Sequence, residues 1–394
     1  MTGLKSYFKN NIRQYGMIIA LVFIMVLFQI LTNGILLKPM NITNLVLQNA
    51  YVLILAVGML LAIITGNIDL SVGSIVALVG ALSAVMMVTL KMPVVFAVGL
   101  SLLIGLAAGS FQGLFIAYFK LPPFIVTLAG MLVFRGLTMV ILKGQTLAPF
   151  PKSFQAIAAG YLPGREKEAI LGLTVAAITA IIIGILMSII YILFELNSRK
   201  NKINYGFEVL PKSFEFFKWS IIIITINAFT ISLAAYNGIP IVLILLLVII
   251  IIYTFISQKT IAGRHIYALG GNSKAAKLSG VKTKRVMFWV YANMGVLSAV
   301  TGLIVAGRLN AATPKAGNMF ELDAIAACFI GGASASGGIG TVVGAVIGGL
   351  VMGVLNNGMS ILGVSVDWQQ VIKGLVLLGA VCFDVYTKNK SGSK

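Results

Sequence analysis

Charge is scarce in this sequence. Only 10% of its 394 residues are Asp, Glu, Lys or Arg, whereas a soluble domain carries about a quarter, so a soluble globular chain is excluded. Acid is scarcest: ten Asp and Glu stand against 29 Lys and Arg, a formal net charge of +19. Ion-coupled carriers hold acids or histidines in mid-span, but here Asp69, Asp323, Asp367 and Asp384 all fall near the ends of apolar runs. The single histidine, His265, sits in a basic loop and reads as a surface residue. The two cysteines, Cys328 and Cys382, lie in apolar runs without metal-ligand spacing, which argues against a disulfide framework and a metal site. No phosphate-binding loop, nucleophile elbow or H-E-x-x-H motif occurs, so neither ATP hydrolysis nor other enzyme chemistry is expected, and no cofactor.

What the chain has instead is apolar sequence: 59% hydrophobic residues and a mean hydropathy of +1.03. Runs long enough to enter or cross a bilayer are Met17 to Leu37, Ala50 to Ile64, Leu70 to Leu90, Val94 to Phe119, Phe124 to Leu142 and Ala169 to Phe194. They continue at Trp219 to Ala235, Ile239 to Ile256, Val286 to Gly307, Leu322 to Ser334, Ile339 to Leu362 and Trp368 to Tyr386. The expected fold is an all-α polytopic integral membrane protein with about 10 to 12 membrane segments. The short second and tenth segments are candidates for broken or re-entrant pieces. The run from Met17 is long and lacks a small-residue cleavage site, so it reads as a retained first span.

The basic residues lie between these runs, without the exposed aromatics of a nucleic-acid face. They mark orientation instead. Twelve crossings with both termini in the cytoplasm place the larger share of the 29 Lys and Arg on the inner side, as the positive-inside rule requires. Arg135 and Lys373 fall within spans; Arg135 pairs with an acid or a carbonyl, or snorkels to an interface. Neither the outward loop Lys143 to Glu168 nor the inward loop Glu195 to Lys218 is long enough for a folded domain, so residues 1–394 read as one membrane domain.

The most basic connection is Gln258 to Arg285, with seven Lys or Arg, His265 and no acid. Within it GGNSKAAKLSG predicts a helix of about two turns, capped by Asn272 or Ser273 and closed by Gly280. So short a helix is marginal alone; it packs against a partner through the small residues Ala275, Ala276 and Ser279, or it is a solvated connector.

Three breaks interrupt the apolar pattern. In ITGNIDLSVGS, Gly66, Asn67 and Asp69 precede the resumed run. Asp69, with Ser71, either caps a helix N-terminus or, like other intramembrane acids, serves function, and the two roles are compatible. In FELDAIAACFIGGASASGGIG, Glu321 and Asp323 open a segment that dissolves at Gly331, Gly332, Gly337 and Gly338, and broken segments at membrane depth line cavities or are buried in protein. In VLNNGMSILGV, the amides of Asn356 and Asn357 need a neighbouring helix or a polar pathway. The breaks form a weak internal repeat: Ile68-Asp69-Leu70 matches Leu322-Asp323-Ala324, and Gly109, Gly113, Ala117 match Gly349, Gly353, Asn357. Paired interruptions in two halves point to a transport path.

ITGNIDLSVGS, KLPPFIVTLAGMLVFRG, GRHIYALGGNSKAAKLSGV, FELDAIAACFIGG and LNNGMSILGV, in this order, resemble the signature segments of the ribose/xylose-type (multiple monosaccharide) permeases of bacterial ABC importers. The start KNNIRQYGMIIALVFIM resembles the xylose branch, and residues 161–256 look expanded relative to the shorter ribose permeases. The resemblance implies a multi-pass permease of the bacterial inner membrane, homodimeric or paired, that translocates a monosaccharide such as xylose. It also implies two partner chains, a cytoplasmic ABC ATPase and a periplasmic or lipid-anchored sugar-binding protein. In it, 258–285 is the cytoplasmic coupling loop. Its coupling helix is Ser273 to Ser279, including Ala275, Ala276 and Leu278, capped by Asn272, with Gly270, Gly271 and Gly280 as turns and Gly263 and Arg264 approaching it. The sugar passes Asp69, Ser71, Ser74, Asp323, Gly331 and Gly332, with Asn356 and Asn357 lining the path. Related permeases for branched-chain amino acids or nucleosides share this scaffold, and a stand-alone channel or ion-coupled carrier is the rival from another class.

Overall fold

Where water is excluded, each backbone N–H and C=O must find a partner within its own segment, so apolar runs of this length become helices. The computed structural model describes residues 12–162, 169–170, 173–206, 209 and 211–392. The amino-terminal Lys5 and Lys9, and Pro163 and Glu168 of the predicted outward loop, lie outside the described residues. In order, the helices are α1 (Ile12–Leu31), α2 (Pro39–Ile64), α3 (Val72–Ala84, extended by a π turn Val85–Thr89), α4 (Val94–Ala117), α5 (Pro123–Leu142) and the short α6 (Lys152–Ala159). They continue as α7 (Val175–Asn204), α8 (Lys212–Ala234), α9 (Ile241–Lys259), α10 (Ile261–Gly271), α11 (Ser273–Leu278), α12 (Thr283–Leu309), α13 (Phe320–Ile330), α14 (Val342–Ile361) and α15 (Val366–Gly392). Among the described residues, strand is confined to two-residue pieces, β1 (Tyr161–Leu162), β2 (Ala169–Ile170), β3 (Leu173–Thr174) and β4 (Ile239–Pro240), paired antiparallel as β1 with β4 and β2 with β3.

Ten helices among the described residues are long and apolar enough to cross a membrane. Together with the shorter apolar stretch of α1 and the 11-residue α13, they account for all twelve predicted segments. This is an all-α polytopic membrane protein. The second segment is corrected: it is a full-length helix of 26 residues beginning at Pro39. The tenth is short, since α13 stops at Ile330 and hands over to a glycine-rich loop.

The described chain divides into two compact units. One contains Leu37–Asn44 and Gly160–Ile241. Its main feature is the α7/α8 hairpin, held by Asn227 Nδ2 donating to Ser188 Oγ at 2.9 Å, by Lys218 Nζ on Glu195 at 2.6 Å and by the Arg199–Glu215 pair. These pairings rise on one helix as they fall on the other, which makes the hairpin antiparallel. The unit ends at Ile241, so most of α9 belongs to the second unit.

That second unit contains Arg13–Leu36, Leu45–Ala159 and Val242 onward. Its interior is built from α2 after Asn49, α3, α12 and α14, while α4 and α5 leave Phe96, Phe111, Val133 and Val140 exposed, as lipid-facing helices do. Helices α4 and α12 touch backbone to backbone. A side chain on Gly109 would collide with the Tyr291 carbonyl, and one on Gly295 with the Gly105 carbonyl, the small-residue contact expected of helices without a hydrophobic driving force between them. The same device joins α13 to α14, where Gly348 faces the Ala327 carbonyl.

Candidate functional site

The 258–285 loop is ordered from its caps outward. Thr260 accepts from the Gly263 N–H at 3.2 Å and starts α10; a side chain on Gly263 would strike the Ile256 and Ser257 carbonyls, so the turn out of α9 needs glycine there. Asn272 accepts from the N–H groups of Lys274 at 3.1 Å and Ala275 at 3.0 Å, starting α11 as its side-chain chemistry predicts. Gly280, at φ +85°, closes it, and the Val281 N–H reaches back to the Ala276 carbonyl at 3.0 Å. Of the small residues expected to pack, only Ala276 is buried. Ala275 and Ser279 are exposed, as are Arg264, Gly271 and Ser273. Leu278, a large apolar side chain, is 90% exposed.

At the end of α10 the loop meets both breaks. Gly270 packs against the Ile64 carbonyl, the last of α2, so closely that a side chain could not fit, and the Gly338 N–H lies at the same point. Gly338 itself donates to the Ile64 carbonyl at 2.8 Å. Tyr267, on the same helix, donates its hydroxyl to the Gly340 carbonyl at 2.6 Å, and burial pushes its phenol above the usual tyrosine value. A recess of about 520 Å³ opens here, lined by Thr65 and Asn67 of the first break, Ser336 of the second, and Gly271 and Lys274 of the loop.

Asp69 is fully buried in the first break. Its Oδ1 accepts from the Ser71 N–H at 2.9 Å and lies 2.6 Å from Ser71 Oγ, which is also 3.1 Å from Gln112 Oε1 on α4. A hydroxyl has one proton to give, and the shorter contact to the carboxylate takes it. Ser71 occupies the N-cap position of α3 without a side-chain bond to the helix, so Asp69 and Ser71 shape the turn before the helix and do not cap it. Ser74 is buried in the first turn. Asp69 Oδ2, Gln112 Nε2 and the Tyr291 hydroxyl are buried without a hydrogen-bond partner among the described residues.

Asp323 lies in the first turn of α13, 2% exposed. It accepts from the Tyr51 hydroxyl at 2.6 Å and holds Lys373 Nζ of α15 at 3.0 Å. Phe320 stacks on Tyr51 with ring centroids 3.7 Å apart, and Asn356 Nδ2 stands 3.5 Å from the Tyr51 hydroxyl. Asp323 and Asn356 therefore share one cluster. Asn357 is buried, and Gly331 packs against the Gly344 carbonyl, so Gly331 serves helix packing; Gly332 takes φ +78° where the chain turns out of α13. The glycine-rich loop is held at Asp384 of α15, which accepts from Ser334 Oγ at 3.1 Å and the Ala335 N–H at 3.3 Å. Arg135 resolves onto carbonyls: its Nη1 donates to Pro314 at 3.3 Å and Ala316 at 2.6 Å.

The two breaks also meet directly, since Gly73 at the start of α3 abuts the Gly317 carbonyl and the Glu321 carboxylate. Sequence reasoning missed Tyr51, Gln112, Tyr267 and the roles of Lys373 and Asp384. The one signal available was polarity inside apolar runs, which names a residue but not its partner.

Comparison with known proteins places this geometry. Residues 41–163 and 156–381 match the family described as branched-chain amino acid transport system / permease component. The xylose transport system permease protein XylH of Haemophilus influenzae is 40% identical over 99% of this chain and 100% of its own length. XylH of Escherichia coli K12 is 39% identical over 99% of this chain and 95% of its own, and the ribose import permease protein RbsC of Bacillus subtilis is 37% identical over 96% and 95%. No solved structure matches. A polytopic helical fold, a capped loop helix abutting two broken segments, and relatives at this identity over nearly the whole chain lead to one conclusion: the chain belongs to the permease component family of these transport systems and, within it, to the ribose/xylose-type permeases of ABC importers.

Proposed function

We propose that this chain is the transmembrane permease of an ATP-driven importer that carries a monosaccharide, xylose or a related sugar, into the cytoplasm. The observation that carries the reading is the junction of Gly270 with Ile64 and Gly338. In the resemblance, a cytoplasmic ATPase docks on α11 at Ser273, Ala275, Leu278 and Ser279. Movement of α11 passes through Asn272 into α10, whose last turn touches the end of α2 and the loop after α13. A displacement there reaches both broken segments at once, without any chemistry in this chain.

Both termini lie in the cytoplasm in this reading, two permease chains pair, and a periplasmic or lipid-anchored binding protein delivers the sugar to the opposite face. The sugar passes the breaks carrying Asp69, Ser71 and Ser74 and, on the other side, Asp323 and Asn356. Gly331, Gly332 and Asn357 shape that path through packing. The family description favours one second reading, a branched-chain amino acid as the solute. Uptake of labelled xylose, ribose, leucine and adenosine by cells carrying the permease with its ATPase and binding protein separates these, with xylose expected to accumulate. Accumulation of leucine or adenosine alone overturns the sugar reading. Solute flux through the chain alone in liposomes overturns the partnered mechanism.

A further inference from the structure

We propose that the cleft between the end of α4 and the start of α12 is a binding site for the headgroup of an anionic glycerophospholipid. The cleft is open to one side, with a volume of about 700 Å³, and Lys120, Lys277, Lys282, Lys284 and Arg285 line it. No acid opposes them: residues 94–122 and 258–309, which supply every wall of the cleft, contain no Asp or Glu. Among the described residues none of the five cations makes an ion pair. Lys120 is held at φ +58° in the connection between α4 and α5, a backbone conformation that a lysine rarely adopts. Five cations gathered without a counter-charge repel one another, and a bound phosphodiester relieves that repulsion.

The surroundings select a lipid over a free phosphate. Tyr118 lines the cleft, and Tyr118, Phe119 and Trp289, on the same two helix ends, are 48%, 63% and 57% exposed. Such aromatics sit at the headgroup level of a bilayer. Beyond them α4 exposes Phe111 and Leu114, an apolar slope for acyl chains that a free anion would not use. The inference depends on the membrane fold alone and stands whichever solute is transported.

The test is native mass spectrometry of the full-length protein in detergent with phosphatidylglycerol or phosphatidylcholine added, on wild type and on Lys120→Gln/Lys282→Gln/Lys284→Gln. Each cation near an anionic lipid is worth a factor of roughly five, so the triple variant is expected to lose phosphatidylglycerol affinity roughly a hundredfold. Phosphatidylcholine binding should stay as it was, and Lys→Arg at the same three positions should restore the preference. Equal binding of the two lipids by wild type, or undiminished phosphatidylglycerol binding by the triple variant, overturns the site. Displacement of phosphatidylglycerol by millimolar inorganic phosphate assigns the cleft to a free anion and overturns the lipid assignment.

Discussion

The Ile64 carbonyl accepts the Gly338 N–H at 2.8 Å, a single hydrogen bond tying the end of α2 to the loop after α13. Gly270 closes over the same oxygen, so one carbonyl joins three segments from distant parts of the sequence. Gly270→Ala places a methyl group where backbone atoms of Ile64 and Gly338 already sit, and backbone cannot move aside by changing rotamer. Overpacking of this kind costs about 1–3 kcal/mol. The expected outcome is a correctly inserted protein with a lowered Tm and at least tenfold slower sugar uptake. Gly271→Ala is the control, since nothing lies near its added carbon; equal uptake by the two variants would remove the junction from the mechanism.

Lys373 and Asp323 form the ion pair of α15 and α13, with Asp323 almost fully buried. Removing one member leaves an uncompensated charge, which costs about 3–5 kcal/mol, whereas removing both is far milder. Lys373→Met should therefore lower the thermal midpoint in nanodiscs strongly, and Lys373→Met with Asp323→Asn should recover much of the loss. A double variant no better than the single one would show that the pair does not set stability.

Most of the architecture was legible because apolar run length reports membrane crossing directly. The exception explains itself at α2. Its first turns carry Asn41, Thr43, Asn44, Gln48 and Asn49, which hid the helix start from Pro39 until Ala50. Thr43 returns its hydroxyl to the Pro39 carbonyl at 3.1 Å and Asn49 its amide to the Leu45 carbonyl at 2.9 Å, so that polarity is spent inside the helix. Asn272 was readable as a cap because its partners are two and three residues away. Tyr51 was not readable as the partner of Asp323, nor Ile64 as that of Gly338. Each pair is set by packing across hundreds of residues, and no local spacing encodes it.

Asp69 orders the turn before α3 through the Ser71 N–H and hydroxyl. Asp69→Ala leaves the buried Ser71 N–H unpaired at roughly 1–3 kcal/mol, with the hydroxyl turning to Gln112 Oε1 at 3.1 Å, while Asp69→Asn keeps an acceptor in the same place. The expected order of thermal stability is wild type, then Asn, then Ala. If Asp69 also touches sugar, the Asn variant will raise the half-saturating sugar concentration at near-normal stability. An Asn variant as unstable as Ala would place the essential interaction in the carboxylate charge.

Leu278 gives the cleanest test of where the ATPase docks. Ala276 is buried, so a large residue there must displace its neighbours and confounds docking with folding. Leu278 is 90% exposed, and exposed positions tolerate substitution within about 0.5 kcal/mol. Burying a leucine at an interface is worth roughly 1.5–3 kcal/mol, or about a 10- to 100-fold change in affinity. Leu278→Asp is therefore expected to leave the Tm and membrane insertion unchanged, to weaken ATPase association by that factor, and to reduce coupled uptake in proportion. Association at the wild-type level, measured by co-purification and by permease-stimulated ATP hydrolysis, would return α11 to the role of a solvated basic connector.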